Sequence, residues 1–393
     1  TTTTTTTTTT SANNNNNDNE NATNGNVNNP RVRFVGIIAN VIGELVLPCW
    51  KQVLNVAYSC DAIVCSSLAR SLAFAVMEKV MSTRRKGGDG DDGSDGRCRL
   101  LPTYLLHLQP MMPTSLFPHY SQTAKCIQCL LSLLKKKKKN DNDVAATTTE
   151  TTDAEYNLES YWELERYQFV FLQERLDAML QQEEMNLPPL TFERMQQYLN
   201  GNDCMVHLVN AFSHHLIPNN GNNNGNNSNA NGNVHNVGAL ADSYIPRDFI
   251  PNQALIDFFN THNETTTTNA TNATKPICIG FGSMPYDAKK VQDLVDIVNE
   301  LNLSAVFVGK ALSSYANNGN NDDNIDKNSR IIHVNSVAYA WLLPRCSLVV
   351  CHGGAGVVHT ALRAGIPLVV APLIGDQFLF ADLLPAMGLG ARA

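Results

Sequence analysis

Residues 347–377 read SLVVCHGGAGVVHTALRAGIPLVVAPLIGDQ. An apolar run, Leu348 to Cys351, is followed by His352, by Gly353, Gly354, Ala355 and Gly356, and then by a helical pattern. A second apolar run, Ile366 to Ala371, ends in Pro372 and the polar pair Asp376–Gln377. The order is strand, glycine-rich turn, helix, strand, polar loop. A helix N-terminus offers unpaired backbone N–H groups and the positive end of its dipole, which suits a phosphate. Small residues at 353–356 let an anion approach the backbone closely. Ligands of open α/β sheets bind at the carboxyl ends of the strands. His352 and the Asp376–Gln377 pair both fall on that edge.

The pattern extends upstream. Pro276 to Phe281 reads as a strand and Gly282–Ser283 as a tight turn. Asp287 to Leu301 reads as a helix with Val291, Leu294, Val295 and Val298 on one face. Ala305 to Val308 and Ile331 to Val334 are further strands, and Tyr339 to Leu343 a short helix. Strands alternating with helices predict a parallel sheet with helices on both faces.

The first half is less regular. Residues 36–58 read as a helix, 61–65 (DAIVC) as a buried strand, and Ser66–Ser67 as the cap of a helix running to Met81. Leu100 to Leu108 and Met205 to Ala211 are strand-like. QPMMPT (109–114) holds two prolines that forbid a helix. Residues 156–186 are helical, with Tyr161, Leu164, Tyr167, Phe171, Leu176 and Met179 as the apolar face.

Composition separates ordered from polar sequence. Of the 393 residues, Thr1 to Thr10 is a homopolymer and Asn-rich sequence continues to Asn29. Further polar tracts at 86–97, 135–153, 218–237, 262–274 and 316–329 cannot bury enough apolar surface to order themselves. The remainder suffices for two cores. The net charge of −7 is spread out and argues against nucleic acid as a partner. Lys135–Lys139 is the one basic block. It reads as a solvated insertion, with contact to an anionic membrane as the alternative. The ten cysteines form no framework and several lie in apolar runs, which points to a reducing, cytoplasmic setting. Cys126 and Cys129 make one CxxC with no second pair, short of a zinc site. No run of about 18 uncharged apolar residues suggests a membrane span.

GFGSM (280–284), WLLPR (341–345), HGGAG (352–356), LRAGIP (362–367) and GDQ (375–377) occur in this order. Together they resemble the donor-binding half of nucleotide-sugar glycosyltransferases built from two facing Rossmann-like domains, the GT-B fold. Within that class the chain is similar to the sterol 3-beta-glucosyltransferase group. HLQPMMPT (107–114), NLESY (157–161) and NLPPL (186–190) extend the likeness into the first half. It covers residues 36–393, interrupted by the polar tracts. With the composition, which marks a disordered tail (1–30) and an Asn-rich insert and linker (218–245), it implies a partial acceptor domain (31–217) and a truncated donor domain (246–393).

The resemblance also implies roles. Ser283 contacts the diphosphate region. His352, with the turn at Gly354 and the N–H groups of Ala355 and Gly356, binds a donor phosphate. Asp376 and Gln377 hydrogen-bond the transferred sugar. The uracil lies against the backbone of Asn335 to Val337. The expected reaction is inverting, metal-free transfer of glucose from UDP-glucose, a co-substrate rather than a cofactor, to a sterol or similar lipid, with peripheral membrane contact as an accompanying expectation. The base that takes the acceptor proton belongs to a strand and glycine-rich loop expected before Asp61, so the chain is expected to be a fragment lacking both ends of the fold. Two departures stand out: Val357 where the group has threonine, and AYAWLL (338–343) where it has PHDWLF. Val357 and the missing N-terminal base keep open a non-catalytic sugar-nucleotide-binding protein, and because fold does not fix substrate, transfer to another lipid or aromatic alcohol is the near alternative. A dinucleotide-binding enzyme is disfavoured, because no GxGxxG with a following acidic residue is present. His107, Trp341 and His359 read as packing residues.

Overall fold

The computed structural model describes residues 39–86, 101–108, 110–111, 116–139, 151–181, 189–200, 203–217, 233–240, 245–263, 275–282, 284, 287–309 and 330–393. In chain order its elements are α1 (Trp50–Ala57), β1 (Ile63–Ser66), α2 (Arg70–Lys86), β2 (Thr103–His107), α3 (Thr123–Lys139), α4 (Thr151–Gln181), α5 (Phe192–Leu199), β3 (Val206–Asn210), β4 (Val234–Asn236), α6 (Gln253–Asn263), β5 (Ile277–Gly280), α7 (Ala288–Glu300), β6 (Ala305–Val308), β7 (Ile331–Val334), α8 (Tyr339–Leu342), β8 (Val349–Cys351), α9 (Ala355–Ala364), β9 (Leu368–Val370), α10 (Gln377–Ala386) and β10 (Gly390–Arg392).

Two compact units emerge. The first takes the described residues of Thr1–Asp61, Leu68–Leu101 and Trp162–Met195. It is helical, and its interior holds an ion pair: Arg70 donates to Glu165 and, at 2.7 Å, to Gln168 Oε1, with all three side chains buried. This pair explains a departure from the predicted helix face. Tyr161, Leu164, Leu176 and Met179 of α4 are buried as expected, but Phe171 is 44% exposed and Tyr167 half-buried. The buried stripe runs instead through Glu165, Gln168, Phe169 and Leu172. Apolar periodicity cannot register a buried carboxylate that is neutralised from another helix.

The second unit takes the described residues of Ala62–Ser67, Pro102–Tyr161 and Gln196–Ala393, and holds both sheets. The first sheet has strand order β1-β2-β3-β4 and the second β10-β9-β8-β5-β6-β7, every pair parallel. Two parallel sheets with helical crossovers are the α/β architecture that the resemblance implied. β5 and β6 are buried at every residue, which is why PICIGF and AVFV read as unbroken apolar runs.

Local chemistry sets the ends of the helices. Asp287 accepts from Lys289 N–H at 3.0 Å and caps α7. Gly365, at φ +71°, ends α9 in a left-handed turn. The chain then turns directly into β9.

Several elements lie where the sequence predicted none. β4 falls inside the polar tract 218–237, where Leu208↔Val234 and Asn210↔Asn236 pair it with β3. Three residues are too few for an alternation signal. The backbone of Lys135–Lys139 continues α3 rather than forming an insertion loop. α3 also carries Cys126 and Cys129. Burial pushes the Cys126 thiol up to about 12, so it is an apolar packing group at neutral pH. α6 is also new, as are the short α5 and β10. Among the described residues no helix is long and apolar enough to cross a membrane.

Candidate functional site

The second sheet begins at its centre. β5 has β6 and then β7 on one side, and β8, β9 and β10 on the other. Order therefore reverses between β5 and β8, which pair directly through Gly280↔Cys351. The loops that leave these two strands diverge, and an open α/β sheet has its crevice at that point.

The residues at the two strand ends meet there. Gly282, at φ +62°, follows β5, and His352 follows β8. A methyl group on Gly282 would stand 3.3 Å from His352 Cε1, and one on Gly354 would stand 2.6 Å from His352 Nε2. The imidazole is thus held between two glycines that have no side chain to displace it. Gly353, at φ +88°, packs so closely that a methyl group would stand 2.6 Å from Val370 Cγ1. Gly354 is the N-cap residue of α9 and supplies no side chain to its first turn. A methyl on Gly356 would meet nothing within 4 Å. The Cβ position of Gly356 thus faces open space, and the first N–H groups of α9 have no partner within the helix.

His352 is half-buried, and burial pushes its pKa below the ordinary histidine value. Burial therefore favours its neutral form. Its Nδ1 is buried without a hydrogen-bond partner among the described residues. A buried ring nitrogen in that state is suited to exchange a hydrogen bond with a bound group.

His359, one turn further along α9, is different. Its Nδ1–H donates to Ala355 C=O at 2.7 Å, and its Nε2 accepts from Ser213 N–H at 3.3 Å. Both nitrogens are used and its role is structural, as the sequence reading had it. Trp341 packs between Phe249 and Phe259, under the Arg345 guanidinium.

Beyond β9 the polar loop returns to the same edge. Asp376 occupies the N-cap position of α10 but makes no side-chain cap hydrogen bond. Burial pushes its carboxyl up to about 6. Gln377 is buried, and its Oε1 accepts from Leu373 N–H at 2.8 Å and Ile374 N–H at 3.0 Å. Its carbonyl oxygen is therefore engaged by the loop, and the amide NH₂ is the donor that the resemblance directs to the sugar. Val337 lies half-buried in the loop between β7 and α8. Ser283 lies outside the described residues. Val357 packs on the apolar core, so the methyl groups that replace a hydroxyl there have a packing role.

Two site features escaped the sequence reading. Gly309, at φ +128° after β6, lies 3.7 Å, measured from a would-be methyl, from Gly282 O, and so lines the same edge. The Tyr339 hydroxyl fills the space above Gly280: a methyl on that glycine would stand 2.4 Å from it. A glycine closing the apolar run AVFVG was the available signal for the first. No local signal marks the second.

Residues 311–392 match the family described as Erythromycin biosynthesis protein CIII-like, C-terminal domain. A sterol 3-beta-glucosyltransferase of Arabidopsis thaliana, UGT80B1, is 38% identical over 115 residues, which is 29% of this chain and 18% of that protein. The sterol 3-beta-glucosyltransferase of Saccharomyces cerevisiae is 31% identical over 118 residues, 30% of this chain and 10% of that protein. The chain thus matches between a tenth and a fifth of the length of these curated relatives. Solved glycosyltransferases align at low similarity. The glycotransferase of kitacinnamycin has a TM-score of 0.45 at 13% identity, covering 90% of this chain and 69% of that one. The spinosyn rhamnosyltransferase SpnG complexed with thymidine diphosphate has a TM-score of 0.42 at 18% identity, covering 92% and 67%.

The C-terminal part of the chain is similar in sequence to the sterol 3-beta-glucosyltransferases and to the Erythromycin biosynthesis protein CIII-like C-terminal domain.

Proposed function

We propose that the second sheet binds a nucleoside-diphosphate sugar at the β5–β8 crevice, and that the protein transfers a hexosyl group, glucose from UDP-glucose, to the hydroxyl of a sterol or similar lipid. The observation that carries this reading is the unpartnered His352 ring beside the open first turn of α9. Transfer proceeds by direct displacement. The acceptor oxygen attacks the anomeric carbon, the bond from that carbon to the diphosphate oxygen breaks, and the configuration inverts.

Negative charge gathers on the departing diphosphate. The N–H groups of Ala355 and Gly356, the α9 dipole and an N–H of His352 meet that charge, so the reading requires no metal. Asp376, as a carboxylate, accepts from sugar hydroxyls. The nucleobase lies against the backbone of Asn335 to Val337, and Ser283 approaches the diphosphate. The acceptor loses a proton in this step. None of the described residues is assigned as the base that takes it.

The test is calorimetry with UDP-glucose on the protein and on His352→Ala, followed by a sterol glucosylation assay. Binding that His352→Ala weakens at least tenfold supports the donor site. Binding that the substitution leaves unchanged overturns it. Binding with no turnover in a chain extended at both ends leaves a sugar-nucleotide-binding protein.

A further inference from the structure

Tyr104, His207 and His235 form a row of rings on one face of the first sheet. Residues two apart on a strand share a face. Tyr104 is in register with His207, and Val209 with His235, so the three rings leave β2, β3 and β4 on the same side. The Tyr104 and His207 rings stack with centroids 4.7 Å apart and planes 15° from parallel. His207 and His235 stack in turn at 5.3 Å. His207 Nδ1 and His235 Nε2 face each other at 3.1 Å, and both residues are half-buried.

We propose that His207 and His235 form a binding site for a divalent transition cation of the zinc, nickel and copper class, which bridges β3 and β4. The site is separate from the β5–β8 crevice and does not depend on the donor reading.

Distance, availability and position support it. Bonds of about 2.0–2.1 Å from one cation to two imidazole nitrogens hold those nitrogens about 2.9 Å apart at a right angle and about 3.3 Å apart at the tetrahedral angle. The observed 3.1 Å lies between these values, and imidazole is a ligand this class of cation favours. Burial, and then the neighbouring His235, push the His207 pKa below the ordinary histidine value, which favours the neutral rings that ligate. The Tyr104 ring fixes the plane of His207 from the other side. β4 is a three-residue strand at the sheet edge with β3 as its one neighbour, so a cation held from both strands ties down that edge.

Binding moves no net proton. One ring now donates its facing N–H to the other. On binding, that ring takes the tautomer with hydrogen on its far nitrogen, and a small turn of each ring aims both lone pairs at the cation. Among the described residues no group of three His, Cys, Asp or Glu side chains gathers around one point, so water fills the remaining positions.

The test is calorimetry with Ni²⁺ and Zn²⁺, and with Mg²⁺ as the control, on the whole chain kept metal-free and reduced. His207→Gln and His235→Gln each remove one ring. His214 and His215 are a second, exposed pair, with rings 4.0 Å apart in the loop after β3, and the His214→Ala, His215→Ala double variant removes it. The expectation is one equivalent of Ni²⁺ or Zn²⁺ and no Mg²⁺. Each Gln variant should weaken that equivalent by about tenfold or more, and the double variant should leave it unchanged. The N–H groups of Leu208 and Val237 bond Asn233 and Asn210 across the two strands. Their hydrogen exchange should slow with Ni²⁺ by about tenfold or more in the unaltered protein and not in the Gln variants.

The proposal is overturned if the unaltered protein binds no equivalent, if both Gln variants keep it, if the His214→Ala, His215→Ala protein loses it, or if the ion leaves exchange at Leu208 and Val237 unchanged. If neither Gln variant folds, electron paramagnetic resonance of Cu²⁺ on the His214→Ala, His215→Ala protein decides. Two ligating imidazole nitrogens uphold the site, and fewer overturn it.

Discussion

The two sheets share strand direction and differ in strand order. The first runs β1-β2-β3-β4, so each crossover moves the same way across the sheet. The second starts at its centre, moves out to β7, and returns to build β8 to β10 on the other side. A crevice forms where consecutive loops part, and only the second order parts them.

The polar residues at the two carboxyl edges behave accordingly. In the first sheet His107, Asn210 and Asn236 stand in register, and Asn210 Nδ2 donates to Asn236 Oδ1 at 2.9 Å. In the second, His352 Nδ1 has no partner among the described residues. At the reversal the His352 ring is placed beside a helix start, whereas on the first sheet Asn210 and Asn236 bond one another.

The largest expected effect lies at the crevice. Gly353→Ala adds a methyl to a residue at φ +88° and forces it toward Val370. It should cost about 2–4 kcal/mol, read as a fall in urea midpoint. If Gly353→Ala is tolerated, the glycine turn is looser than described and the contrast between the edges weakens.

His352→Ala should weaken UDP by about 1.5–3 kcal/mol, the range for a hydrogen bond to a charged group. Asn236→Ala, on the first sheet, should change UDP affinity less than about twofold, because surface changes away from a site are small. Equal losses would break the comparison. Burial lowers the His352 pKa, and a neighbouring diphosphate favours the charged ring. UDP binding near pH 6 should therefore take up protons, visible as a binding enthalpy that depends on the buffer.

Asp376 sharpens the comparison through pH. Its folded pKa of about 6 lies above the ordinary carboxyl value of 3.8, so the folded state holds the proton more tightly and loses stability as pH rises through that window. Asp376→Asn should raise stability by about 1–2 kcal/mol at pH 7.5, a modest figure for a partly exposed group, and by nearly nothing at pH 4. Sugar affinity should move the other way. Unaltered protein should lose its preference for UDP-glucose over UDP as pH falls below about 6, when the carboxylate can no longer accept.

The smallest effect concerns the polar tract. Removing 221–230 should leave the thermal midpoint within about 2 °C, because loop closure depends weakly on length. Removing 233–236 takes β4 from the sheet and should lower the midpoint clearly. The expectation from composition that all of 218–237 stays unordered is corrected by that strand.

Much of this was legible locally. SLVVCHGGAG shows a strand, a turn that only small residues can make and a helix start, because each step depends on near neighbours in the chain. The strands at 277–280 and 305–308 were visible for a related reason: a strand buried on both faces has no polar position to hide it.

Other features depend on partners distant in sequence. Composition placed β4 in a polar tract, because pairing with β3 holds it rather than its own three residues. The α4 face was misread at Phe171, because Arg70 lies 95 residues from Glu165. The reversal between β5 and β8, the glycine walls around His352 and the engagement of Gln377 with its own loop were decided by tertiary structure alone. Sequence determines which residues can turn, cap or bury; which polar atoms are left unpaired depends on distant chain segments brought within hydrogen-bond reach.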